Sequence, residues 1–396
     1  MINIESVQSK YKIIPYIKND WVELLKSVQT PKYQRVNTIL PEHFQSIIGL
    51  LSTKFNTDDI NELDKLSVLS QTHLDELVDV NSLYDGINNL KKDILSIAYG
   101  NDFIPLKVIQ WIESKALNCS EIKFANIKLI ILDEKPISDQ LIIHICKIIT
   151  WLLEINSTPQ MDISIYIFLS PEMKQMEQVC LESKSDNHHC HLSRTNINSG
   201  ASWGGNWIQI FRSEEVLKVL IHELAHYLVL DIQIYSSKVD SYCSHIKMHT
   251  NSKEILVNEA YAELLAIYLH TIYVCWYRSS NNQFDENLFW DLYLQEEKFT
   301  IYQINKIFAN YSIESIEYFS KPNKFVQHTN VVSYFIIKYL FFINTKYLIM
   351  SWKSKPQTIK LVKFLLKRFF KLKIPHINTA LHTDTSLRMS LHSVFE

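Results

Sequence analysis

The sequence predicts an α+β fold, with a small mixed sheet beside long helices. Two observations carry this. Between about 127 and 211, short β-branched segments alternate with an apolar stretch at helical spacing. Glycine is scarce, with 6 in 396 residues and none after Gly205, and no proline lies between Pro171 and Pro322. Globular chains average about 7% glycine, so this scarcity excludes glycine-rich nucleotide folds, collagen and turn-dense all-β domains. At 47% hydrophobic the chain can bury a sizeable core, and its length suits two or three domains.

Residues 1–120 read as short helices with polar turns such as Asp85-Gly86, and no catalytic signature stands out there. A catalytic region follows over 121–280, then a helical C-terminal region over 281–396. Ile127–Leu132 is short, apolar and β-branched, as a strand should be. Ser138–Ile155 is apolar at helical spacing and too long for a strand, and Asp162–Leu169 is a second strand. Asn196–Ser202 and Trp207–Phe211 read as a hairpin turning at Gly204-Gly205. Ser213 is the expected cap of a helix beginning Glu214-Glu215 and running to about Leu230. A second long helix is expected from about Lys253 to Tyr277.

The first of these helices contains His222-Glu223-Leu-Ala-His226. Histidines at i and i+4 lie one turn apart on one face, so both imidazoles can reach one metal ion. Glu223 follows the first of them and is placed to deprotonate a metal-bound water. This is the HExxH arrangement of zinc hydrolases. Every neighbour within the motif is uncharged, which suits a helix packed inside a domain rather than one with two solvated histidines. A third ligand is needed. Ile232 and Val229 stand where a metzincin would carry its third histidine and a glycine, so that subclass is excluded. The second helix supplies Asn258-Glu259 and, four residues on, Glu263: two carboxylates on one helical face. Glu254 and His249 are the rival third ligands. His188-His189-Cys190-His191 also has metal-ligand chemistry, but adjacent side chains diverge and seldom share one ion.

An HExxH helix followed by a helix with Asn-Glu and a further acid resembles the gluzincin metallopeptidases, the thermolysin and M1-aminopeptidase type. The resemblance covers roughly 125–280 and implies a zincin-like core. It implies one Zn2+ per chain held by His222, His226 and Glu259, with Glu223 as general base and Glu263 behind a ligand histidine. It implies that the Asn196–Ser202 edge strand pairs with substrate backbone, with Asn198, Ser199, Gly200 and Ala201 as the substrate-binding residues. It also implies a Tyr or His oxyanion donor downstream, for which Tyr334 is the candidate and His328 the runner-up. The spacing from His226 to Glu259 exceeds that of thermolysin, and the Gly-x-Met-x-Asn signature of the aminopeptidases is absent. The Ile/Lys/Asn-rich composition is similar to that of HExxH proteins of large DNA viruses.

The expectation is therefore a zinc metallopeptidase acting on a peptide or protein. A catalytically inactive zinc-binding scaffold is the alternative, against which the intact Glu223 argues. Six scattered cysteines without a CxxC pair indicate a reducing compartment. With no signal peptide and no long uncharged apolar run, the chain is expected to be intracellular and cytoplasmic. Net charge is −2, yet no acid lies between Glu317 and Asp384, a window with twelve Lys and Arg spanning Lys321 to Lys373. Such a segment either docks on the chain's own acidic remainder or attracts an acidic partner. Acidic substrate is favoured over nucleic acid or a membrane surface.

Overall fold

A computed structural model describes residues 45, 47–49, 51, 68–73, 92–124, 126–156, 162–176, 192–203, 207–231, 237–250, 254–279, 284–311, 313–320, 327, 329–350, 355–377 and 385–393. It is a mixed α+β structure, as the sequence predicts. The chain divides into two compact units: Lys54–Lys174 with Asn198–Leu230, and Met1–Thr53 with Gln175–Ile197 and Asp231–Glu396. The sequence reading divides the chain differently, into three consecutive regions. Its boundary at 121 falls inside the strand Asn118–Phe124, which pairs with Val68–His73 on one side and Ile127–Asp133 on the other.

The first unit is built on a six-stranded sheet of strands β1 (Val68–His73), β2 (Asn118–Phe124), β3 (Ile127–Asp133), β4 (Ile163–Phe168), β5 (Gly200–Trp203) and β6 (Trp207–Ile210). Their spatial order is β1-β2-β3-β4-β6-β5. The β3–β4 and β4–β6 pairs are parallel and the other three antiparallel. Ile130 and Leu132 of β3 join Phe168 and Phe211 in a core with Val108, Ile109, Trp111 and Ile112 of helix α1 (Leu106–Ser114). By the period-two rule, Leu129 and Ile131 face the other side, and they too are fully buried. A sheet covered on both faces needs continuous apolar strands, which is why β3 reads Ile-Lys-Leu-Ile-Ile-Leu. Each such side chain contributes roughly 1.5–3 kcal/mol by leaving water. The crossover helix α2 (Asp139–Asn156) joins β3 to β4 and packs against α3 (Val216–Tyr227).

The second unit is helical: α4 (Ser237–Thr250), α5 (Val257–Arg278), α6 (Glu286–Asn310), a π-helical turn (Val332–Ile337), α7 (Lys338–Phe342), α8 (Thr345–Met350) and α9 (Lys355–Leu366). Helix α5 is buried on all sides from Ala260 to Trp276, as a central helix is, and that stretch is apolar apart from Glu263, His270 and Thr271. It packs against α6, the π-helical turn and α7. Asp285 caps α6 by accepting from the amides of Asn287 and Leu288. Glu296 of α6 accepts from the amides of Leu391 and His392 and from the Ser390 hydroxyl. The carbonyls of Ser386, Met389 and Ser393 accept from Lys306, Lys338 and Arg278. Four charged side chains thereby pin one irregular C-terminal segment.

The basic window is not one uniform surface. Lys338 is fully buried, whereas Lys360, Lys367, Arg368 and Lys371 are exposed around Phe364. Thr358, Val362, Leu365 and Phe369 form the buried side of that same segment. The described cysteines, Cys119, Cys146, Cys243 and Cys275, are free thiols. No helix among the described residues is long and apolar enough to cross a membrane.

Candidate functional site

The sequence-predicted site residues fall into two groups, one in each unit. In the first unit they lie on α3 and β5. Helix α3 is buried from Val216 to Ala225. Ser213 does not cap it, because its hydroxyl and amide both donate to the carbonyl of Ser170. Glu214 and Glu215 precede the helix instead of opening it, and Glu215 adopts a left-handed conformation at φ 58°. Its carboxylate pairs with Lys174 at 2.7 Å, both side chains being buried, and Glu214 accepts from the Lys174 amide at 2.8 Å.

At the other end the amides of Val229 and Leu230 bond back to the carbonyls of His226 and Ala225. This is a Schellman closure, whose left-handed position is usually glycine. Here it is Val229, at φ 55° and 60% exposed. A β-branched residue there is strained by about 1–3 kcal/mol.

Between these ends, the Nε2 atoms of His222 and His226 lie 3.1 Å apart, with the rings edge to face. Two nitrogens bound tetrahedrally to one Zn2+ at about 2.0–2.1 Å would stand roughly 3.3 Å apart, so the pair matches a shared ion. The same spacing also lets one neutral ring donate an N–H to the other. Glu223, between them in sequence, is 6% exposed.

Gly200 explains how Glu223 is accommodated. A Cβ on Gly200 would fall 2.6 Å from Glu223 Oε1, 2.8 Å from its Cγ and 2.9 Å from Val219 Cγ1. Only glycine lets β5 approach α3 this closely. Strand β5 is the terminal strand of the sheet, in keeping with the expected edge strand. It starts at Gly200 and not at Asn196, because Arg194–Ile197 is a helical turn. The carbonyls of Asn198 and Ser199 accept from Arg212 Nε and the Phe211 amide, so their backbone is already engaged within the unit. The Ser199 hydroxyl and Asn198 Oδ1 are buried and find no hydrogen-bond partner among the described residues. Ala201 lies within β5, and Gly204-Gly205 falls outside the described residues.

In the second unit, Glu259 occupies the first turn of α5. Tyr334 donates its hydroxyl to Glu259 Oε2 at 3.0 Å. Tyr334 is thus joined to the carboxylate expected to be a ligand, a relation not foreseen beside its expected oxyanion role. Glu263, one turn further and 1% exposed, faces Lys338 at 4.0 Å. Lys338 was missed as a site residue. Its signal was a single cation in the apolar run Val331–Phe342, which a buried carboxylate explains. Glu254 is exposed, and the side chains of His249, His328 and the 188–191 cluster lie outside the described residues.

Comparison with protein-family models, curated proteins and solved structures returns no match.

Proposed function

We propose that the chain is a zinc-dependent peptidase in which His222, His226 and Glu259 hold one Zn2+ and Glu223 is the general base. The observation that carries this reading is the 3.1 Å separation of the two histidine Nε2 atoms, with a buried carboxylate between them in sequence. Glu259, in the first turn of α5, is the third donor in this reading. Two imidazoles and one carboxylate are a donor set of catalytic zinc sites, which keep a position for water. When bound there, the ion would polarise the scissile carbonyl and acidify that water.

The chain's own residues supply the rest. Glu223 accepts the water's proton and returns it to the leaving amine. Its low exposure keeps bulk water from competing for that proton. Strand β5, terminal in its sheet, offers Gly200–Trp203 for an extended peptide to add as a further strand. The zincin-like architecture belongs to the same proposal. The exposed cations around Phe364 attract acidic peptides at long range, an effect that salt removes.

Two measurements test the reading: zinc content of the purified protein, and hydrolysis of a peptide library by wild type and Glu223→Gln. One equivalent of zinc in both, with hydrolysis in the wild type falling by about 10²–10⁴-fold in the variant, is the expected result. Wild type and variant equally inert with zinc retained would favour the scaffold.

A further inference from the structure

Ser333, Tyr334 and Lys338 contact one face of α5 at successive turns. The Ser333 hydroxyl accepts from the Leu256 amide at the helix start, at 3.1 Å. Tyr334 donates to Glu259 at 3.0 Å, and Lys338 faces Glu263 at 4.0 Å. The contacted positions 256, 259 and 263 follow the i, i+3, i+7 row of a helix. Ser333 and Lys338, however, are five residues apart. In an α-helix, five residues turn through well over a full revolution, and the two side chains diverge by more than a right angle. A π-helical turn bonds i to i+5 and brings such residues into line. Val332–Ile337 is that turn, and it is buried throughout. π-helical turns are rare and are found mostly at functional sites.

We propose that this π-helical turn is the positioning element for both carboxylates of α5, with Tyr334 and Lys338 as positioning residues. Tyr334 holds Glu259 Oε2 and thereby directs the other oxygen to the metal. Lys338 faces the buried Glu263 at 4.0 Å and, through the Met389 carbonyl at 3.2 Å, ties it to the C-terminal segment. The proposal rests on the reading of Glu259 as a metal ligand.

Zinc affinity is the readout, measured by competition with a chelator, alongside the visible spectrum of the cobalt-substituted protein and the unfolding midpoint of the metal-free protein. Tyr334→Phe keeps the ring and removes one hydroxyl. It should weaken zinc binding about 10–100-fold and alter the cobalt spectrum, while leaving the metal-free midpoint nearly unchanged. Lys338→Met should do the same. Because that variant leaves Glu263 buried without its counter-charge, Lys338→Met with Glu263→Gln is measured beside it. Lys338→Arg should restore part of the affinity.

Wild-type zinc affinity and cobalt spectrum in Tyr334→Phe would overturn the proposal. A lowered midpoint with affinity retained overturns it too, since that is a packing role alone. Glu259→Ala separates the two levels. If it loses zinc while Tyr334→Phe does not, the ligand reading stands and the positioning role falls. If it keeps zinc, both fall.

Discussion

Helix α3 presents two predicted metal ligands and α5 one, and the two helices are fixed by opposite means. Helix α3 is fixed by backbone fit. Gly200 lets β5 lie directly under Glu223, a left-handed residue stands at each end, and the Lys174–Glu215 pair braces the start. Its two histidines lie a turn apart, so the pair is set once the helix forms. Helix α5 is fixed by side chains reaching from about 75 residues downstream, Ser333, Tyr334 and Lys338. On the proposed function, the general base is held by shape and the carboxylate ligand by hydrogen bonds.

The sharpest way to break the shape-based half is Gly200→Ala. The added methyl cannot coexist with the present position of Glu223, so peptide hydrolysis should fall by about 10²–10⁴-fold. Zinc content should hold, because neither histidine is touched. Turnover and zinc measured on the same preparation decide it, and unimpaired turnover would show that Glu223 is not placed by Gly200. Next comes Lys174→Met, which removes the cation 2.7 Å from the buried Glu215 carboxylate. Breaking such a pair from one side costs about 3–5 kcal/mol in a denaturant titration. Adding Glu215→Gln should return part of that loss.

In the helical unit the comparison sharpens within α6. Burial raises the carboxyl of both Glu296 and Glu297, but at Glu296 three donors from the C-terminal segment pull against it, whereas Glu297 is lifted from 4.5 to about 7. Between pH 4.5 and 7 the unfolded chain therefore releases this proton before the folded one does. Stability should fall as pH rises through that window, by on the order of 1–3 kcal/mol. Glu297→Gln should flatten the fall, as followed by unfolding midpoints at pH 5 and pH 8. The smallest expected effect is Val229→Gly, which relieves the left-handed strain after His226. A gain of about 1 kcal/mol in unfolding free energy is expected, and a loss would mean that the valine side chain contributes more than its strain costs.

Much of the sheet and of α3 was legible in the sequence, because their signals are local. Ile127–Leu132 and Asp162–Leu169 announce buried strands by composition, and His222 and His226 are four residues apart. Glu259 entered as a candidate through its own Asn-Glu context. The bonds that fix it were not, since nothing near Glu259 says that Tyr334 will reach it. A π-helical turn has no residue signature, so Ser333 and Lys338 could not be aligned from spacing. Ser213 illustrates the opposite error. It is a good capping residue by type, but the Ser170 carbonyl claims its hydroxyl across 43 residues.

The pinning of the C-terminal segment sets the order in which the helical unit can be completed during synthesis. Glu296 waits 95 residues for Leu391, Lys306 waits 80 for Ser386, and Arg278 waits 115 for Ser393. Closing loops of that length costs chain entropy before any bond is gained, so these contacts form late. Until they do, Glu296, Lys306 and Arg278 are charges awaiting burial, and Lys338 lacks the Met389 carbonyl that accepts from it. A nascent chain that has already built its sheet and its histidine pair would then still lack a settled α5. Any metal captured at that stage would meet the two imidazoles before it met a positioned carboxylate.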